Sequence, residues 1–544
     1  MNNLEHLKPI GWWNPDGGSA ATDRKALKET VLQVRKPFYI VLKDDQYVLA
    51  TGGTVLMGEA KPQEGTLPVV AFVPALPLEN LGDRGFCEDY GTRYPYYAGS
   101  MAHGICSADI VENLANEGIL AFFGAGGLPL KTIEATIDRL QKLGDKPYGF
   151  NLIHSPNEPK LEAGAVDLYI RKGMRLIEAS AFLDITLPLV RFRVHGIHSD
   201  PSGNIVTPNR IIAKLSRVEL ATKFFAPPPE EMLQKLQDAG EITEEQANLA
   251  RKIPMAQDVT AEGNSGGHTD NRPTITVIPS MLAIRDQMQS KHNFSQKLRV
   301  GTGGGIATPS SAAAAFSMGA AYIVTGSVNQ ACVESGTSDA VREALAQAQQ
   351  ADVVMAPAGD MFEMGVKVQV LKRGTMFPMR ATKLSEIYNS CESIEAIPPA
   401  EKAMLEKTVF HASLEEIWEQ TKRYFEERDN TKILMAEKNP KYKMALIFRW
   451  YLGQSSHWAT AGKPERRLDY QIWCGPAMGA FNEWARGSFL EKPASRKVVT
   501  VALNLLHGAA VMKRLDAMKC QGLDIETELN PVPIEESELK NNLI

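Results

Sequence analysis

The chain has 544 residues and a formal net charge of −5, with 44% hydrophobic and 23% charged residues, a folded globular composition that gives no general reason to expect nucleic acid or an anionic membrane as partner. No run approaches the roughly 18–20 uninterrupted apolar residues of a membrane span, and the start MNNLEHLKPIGWW has charges where a signal peptide needs an apolar stretch. The six cysteines are far apart with no CxxC pair, which predicts reduced thiols in a cytoplasmic protein.

Residues 1–95 predict a small β-containing cap. PFYIVLKDDQYVLATGG reads as a hairpin turning at Asp44-Asp45, LPVVAFVPALP as a further strand, and LENLGDRGFCEDYGTRYP as loop.

From 96 to 355 short apolar runs alternate with helical patterns. Strand candidates are YYAGSMA, ILAFFG, YGFNLI, MRLIEA, a stretch within LPLVRFRV, IIAKL, MAQDVTA, LRVGT and AYIVTG. One is surplus, but about eight β–α units over roughly 230 residues predict an α/β fold, a (β/α)8 TIM barrel. A doubly wound open sheet is the alternative, and the absence of a GxGxxG loop after the first strand speaks against it. PPPEEMLQKLQDAGEITEEQANLARKIP, about 227–254, reads as an inserted helical hairpin. Residues 356–544 predict a C-terminal helical extension that holds Trp418, Trp450, Trp458, Trp473 and Trp484.

A barrel carries its active site at the C-terminal ends of its strands. The candidates there are Met101 and Ala102, Gly124 to Gly127, Asn151, Lys214 with Ser216, Gly263 to His268, Gly303 to Gly305, and Gly326 with Ser327. VGTGGGIATPSS and TGSV put bare glycine amides after the last two strands, with a helix beginning near Pro309. That pairing predicts a phosphate grip. AEGNSGGHTD by itself reads as a turn sooner than as a site. His195 and His198 in VHGIH lack the further ligands of a metal site and read as surface or loop residues, so no metal is expected. GxSxG, GxxxxGK[ST] and HExxH are all absent.

YAGSMAHGICSADIVENLANEGILAFFGAGG, AEGNSGGHTD and VGTGGGIATPSSAAAAFSMGAAYIVTGS resemble the signature segments of the nitronate monooxygenase (2-nitropropane dioxygenase) family, FMN-binding barrels that include flavin-dependent enoyl-acyl-carrier-protein reductases. The cap, the hairpin insertion and the C-terminal extension, above all DVVMAPAGDMFEMGVKVQVLKRGTMFP, are similar to its PfaD-type branch, which works in trans with polyunsaturated fatty acid or polyketide synthases. The resemblance implies FMN as cofactor, its phosphate held by Gly304, Gly305, Gly326 and Ser327, with Met101, Ala102 and Asn151 near the ring or ribityl chain. It also implies Gly266 and Gly267 as points of close backbone approach, Lys214 against the flavin, and His268 as the catalytic residue.

NADPH is the implied co-substrate, and the implied partners are enoyl thioesters on acyl carrier protein domains of a multienzyme synthase. A homo-oligomer stays open. Two features depart from the family pattern: TDNRP after Gly-Gly-His, and GSVN in the last turn. The basic stretches RKG, RFRVH and KPERR are candidates for carrier docking, with solvated surface charge as the alternative. Whether His268 donates a proton, orients substrate or shapes the pocket stays open. So do a nitronate monooxygenase activity and a non-catalytic flavoprotein.

Overall fold

The computed structural model describes residues 8–21, 23–58, 64–156, 158–426, 428–523 and 530–542. Eight parallel strands close into a barrel: β1 (Tyr96–Ala98), β2 (Leu120–Phe123), β3 (Gly149–Ile153), β4 (Leu176–Ser180), β5 (Arg210–Leu215), β6 (Asp258–Glu262), β7 (Arg299–Gly303) and β8 (Ile323–Thr325). Closure is made by β8 on β1, with Ile323 opposite Tyr96 and Thr325 opposite Ala98. The strands form here because each is a short apolar run ended by a turn; all four residues of β2, LAFF, are buried.

LPLVRFRV is a helix, Leu187–Val194, which removes the surplus strand. Its start was legible: Thr186 accepts from Leu189 N and proline occupies the first turn, a helix entry that outweighs the strand-like apolar run. The segment read as loop before β1 contains the helix Arg84–Tyr90, between an Asp83 cap and Gly91 at φ 63°. This helix plugs the N-terminal end of the barrel. Phe86 stacks on Tyr322 at 4.1 Å, and the Tyr90 hydroxyl donates to Asp258, itself paired with Arg299 at 2.7 Å.

The insertion is a helical hairpin, Glu230–Asp238 and Glu244–Ala250, between β5 and β6. The cap is a six-stranded antiparallel sheet, with Asp44 and Asp45 forming its two-residue turn at φ 49° and 56°.

The C-terminal extension begins not with a helix but with a hairpin, Val353–Pro357 and Lys367–Leu371, whose first strand straddles the expected boundary at 355. The two-residue strand Gly267–His268 pairs with it, so the loop after β6 is tied to the extension. Leu414–Glu426 and Pro440–Ala461 lie over the barrel mouth.

Helix Val498–Cys520 is the one among the described residues long and apolar enough to cross a membrane, but 83% of its apolar window is buried inside the protein. It joins cap to barrel. Arg514 donates to the Val31, Gln33 and Lys36 carbonyls, and His507 Nε2 lies 2.8 Å from Leu32 O.

Candidate functional site

A cavity of ≈1090 Å3 opens at the C-terminal ends of the strands, at the upper end of ordinary ligand pockets, roughly 300–1,000 Å3. Met101, Ala102, Asn151, Lys214, Gly266, Gly267, His268, Gly304, Gly305, Gly326 and Ser327 all line it. Gly126 and Gly127 do so as well. Gly124 instead backs against Met101, whose carbonyl a Cβ would meet at 1.7 Å. Ser216 turns away to Asp270, at 2.6 Å.

The floor is polar and charged. Glu178, at the heart of the barrel, accepts from the Tyr97 hydroxyl at 2.9 Å and from Ser100 N at 3.0 Å. Asn151 is fixed by donating to Ser180 Oγ at 2.8 Å and to Glu178 O at 3.2 Å. Lys214 Nζ lies 3.7 Å from Glu262 Oε1. Burial works against the lysine's charge, but the two carboxylates Glu262 and Glu178 outweigh it and raise its proton affinity.

The phosphate-type turns lie side by side after β7 and β8. Gly304 and Gly305 both have φ 79°, and a Cβ on Gly304 would meet the Gly263 carbonyl carbon at 2.6 Å, so only glycine closes this turn. A Cβ on Gly326 would meet nothing within 4 Å and would project into the cavity. Among the described residues no backbone acceptor takes the amides of Gly304, Gly305, Ile306, Gly326 or Ser327. These donors suit an anionic group such as the FMN phosphate.

The helix Pro309–Ser317 does not supply them as expected. Thr308 and Ser311 close its N-terminus in a reciprocal capping box, and the packing of Pro309 against Gly508 keeps it off the cavity wall.

His268 Nε2 lies 3.2 Å from Asp360 Oδ1. Burial disfavours the imidazolium, but the hydrogen bond and charge of Asp360 prevail and raise its pKa above the ordinary value. Gln369 of the hairpin holds the same loop by donating to Asn264 Oδ1 at 2.6 Å and to Ser265 O at 2.7 Å. The glycine at 266 has a protein reason. A Cβ there would lie 2.8 Å from Cys474 N, so the backbone that approaches closely is this chain's own. Gly267 has φ 79°.

Both departures from the family pattern are anchored. Asp270, held near pKa 2 chiefly by Arg217, pairs with Arg217 at 2.9 Å and pins the TDNRP turn. In GSVN, Ser327 Oγ accepts from Gly475 N at 3.2 Å and Asn329 Nδ2 donates to Thr325 O.

Sequence reasoning missed the outer wall. His103 follows Met101 and Ala102 at φ 58°, stacks on His457 with centroids 5.0 Å apart and planes at 5°, and lies 3.1 Å from Ser456 Oγ. Burial, with His457 beside it, pulls the His103 pKa down to about 4, so the ring is neutral. The signal in the sequence was the AHG triplet at a strand end. His457, Trp473 and Arg428 gave none, because they reach the site only through tertiary packing.

The basic stretches considered for docking divide between fold and surface, with Arg171, Lys463 and Arg467 exposed. Arg171 faces Glu134; buried Arg193 donates to Pro254 O and Asn209 O; buried Arg466 donates to Val409 O and Phe410 O. Among the described residues no group of three or more His, Cys, Asp or Glu side chains could hold a metal.

Residues 87–409 match the family model described as nitronate monooxygenase, and residues 391–470 match that of the inserted helical domain of acyl-carrier-protein S-malonyltransferase. The chain is 45% identical to a polyunsaturated fatty acid synthase subunit of Thraustochytrium sp., over 94% of this chain and 34% of that protein. It is 45% identical to polyketide biosynthesis protein PksE of Bacillus subtilis, over 81% of this chain and 58% of the relative. It thus spans between a third and three fifths of those two proteins. The crystal structure of the enoyl reductase domain of MlnA, from the macrolactin cluster of Bacillus amyloliquefaciens, superposes with a TM-score of 0.77 at 40% identity, covering 81% of this chain and 100% of that one.

Proposed function

Because the chain belongs to the nitronate monooxygenase family, we propose that it is an FMN-dependent enoyl reductase. It would take electrons from NADPH and reduce the 2,3 double bond of trans-2-enoyl thioesters on acyl carrier protein domains of a polyunsaturated fatty acid or polyketide synthase. The observation that carries this reading is one cavity in which the two glycine turns, Asn151, Lys214 and the His268–Asp360 pair face a common space.

FMN, when bound, supplies hydride exchange between a nicotinamide and an electron-poor carbon. The amides of Gly304, Gly305, Gly326 and Ser327 would hold its phosphate, Met101, Ala102 and Asn151 would flank it, and Lys214 would supply positive charge. Saturating the double bond sends negative charge to the thioester oxygen and requires a proton at the α-carbon. His268, whose proton affinity Asp360 raises, can meet that charge and deliver a proton from Nδ1 or Nε2.

The test is anaerobic NADPH oxidation by the FMN-reconstituted protein, comparing a crotonyl thioester with a nitronate. The expected result is oxidation that depends on the thioester, lost in His268→Ala while flavin content is kept. Oxygen uptake with the nitronate in a parallel aerobic assay, with no thioester reduction in the anaerobic one, would overturn the reading, as would a yellow protein inert toward both. The length of the cavity, which extends well beyond the barrel rim to Tyr424 and Arg428, favours a long thioester over a small nitronate.

A further inference from the structure

The cavity continues outward between the start of the helix Pro159–Arg171, with Glu158 and Lys160, and the C-terminal extension, where Tyr424 lies on the helix Leu414–Glu426 and Arg428 in the turn that follows it. The Arg428 guanidinium lies over the Tyr424 ring at 4.1 Å and donates to its hydroxyl, which holds an exposed arginine in one place. Glu158 and Lys160 stand across the mouth from it, and two further charges are engaged. Arg449 pairs with Glu363 at 3.1 Å, and Asp429 caps its helix by accepting from Thr431 N at 3.2 Å. Among the described residues Arg428 has no carboxylate ion pair.

Inward from Arg428 the wall is continuous. His457, whose pKa burial and then the charge of Arg428 hold down, stacks on His103 at the barrel rim. On the outer side, the helix Asn430–Lys438 exposes Leu434 and Met435, at 51% and 53%. All of these except His103 lie within the stretch that matches the inserted helical domain of an enzyme acting on acyl carrier protein.

We propose that Arg428 binds the phosphodiester of a carrier-bound pantetheine arm, whose thioester reaches inward past His457 and His103 to His268, while Leu434 and Met435 receive the carrier domain. The proposal rests on the enoyl reductase reading. A planar, permanently charged fork suits a phosphodiester at the mouth of a passage whose rim carries the uncharged His103 ring. The arm is otherwise uncharged, so it can thread the passage without pairing.

The experiment compares crotonyl-pantetheine, crotonyl-CoA and a crotonyl-loaded carrier domain as substrates of the FMN-loaded protein and of Arg428→Ala, Arg428→Lys and Leu434→Asp. Arg428→Ala should lower kcat/KM about ten-fold or more for the carrier substrate and leave crotonyl-pantetheine, which lacks phosphate, unchanged. Arg428→Lys should recover part of the loss. Leu434→Asp should weaken only the carrier substrate. Equal losses on all three substrates, or no loss on the carrier, would overturn the proposal, and so would an Arg428 effect confined to crotonyl-CoA. If the unsubstituted protein reduces none of the three, the enoyl reductase reading falls, and this assignment with it.

Discussion

Asp360→Asn separates the proton-holding role of His268 from its mere presence in the cavity. The pair is 3.2 Å apart, with His268 30% and Asp360 50% exposed. In bulk water two unit charges at that distance attract by about 1.3 kcal/mol. Screening of the half-exposed carboxylate brings this into the upper half of the ~0.2–1 kcal/mol range of exposed pairs. The sign follows from the raised His268 pKa: the pair contributes at low pH and is lost as pH rises through the folded value.

If His268 acts as the acid, activity falls along that same alkaline limb. Asparagine should move the limb to lower pH, so that rates measured on it drop about three- to five-fold, while rates on the acid plateau hold. The assay is a pH profile of kcat for crotonyl thioester reduction, with flavin absorbance as a check on occupancy. An unmoved limb would show that Asp360 does not govern the proton on His268. Loss at all pH values with normal flavin content would assign Asp360 to loop geometry instead.

Gly266→Ala drives a methyl to within 2.8 Å of Cys474 N, and overpacking of that kind should destabilise by about 1–3 kcal/mol, read as a lower melting temperature of the flavin-free protein. Gly326→Val meets no protein atom within 4 Å of its Cβ, so flavin absorbance after reconstitution should fall with a smaller loss of melting temperature than in Gly266→Ala. Arg299→Met leaves Asp258 buried without its cation at the foot of the barrel; a cost of about 3–5 kcal/mol is expected, measured by denaturant unfolding.

The sequence made the barrel legible because its strands are short apolar runs, five of the eight ending in glycine turns, and that pattern needs no partner to be read. The same holds for the two turns at Gly304-Gly305 and Gly326, since only glycine satisfies their geometry or leaves their space open. Leu187–Val194 misled because apolar residues on every side of a buried helix imitate a buried strand, and only the Thr-Leu-Pro entry distinguishes them. Arg84–Tyr90 was hidden by its flanking glycines, which read as loop although one of them, Gly91, is the helix stop.

What residues 261–270 do could not be read locally. The segment itself specifies a glycine-rich turn with one histidine. That histidine gains proton affinity because a hairpin about a hundred residues downstream pairs with it, supplies Gln369 to fix the loop, and carries Asp360 in the connection between its two strands. Cys474 then explains a glycine that seemed to belong to a ligand. Local chemistry determined the barrel and its bare amides, because backbone sterics and apolar periodicity act over a few residues. Tertiary packing decided the proton affinity of His268, the His103–His457 wall and the position of Arg428, because each depends on a neighbour that only the folded chain brings near.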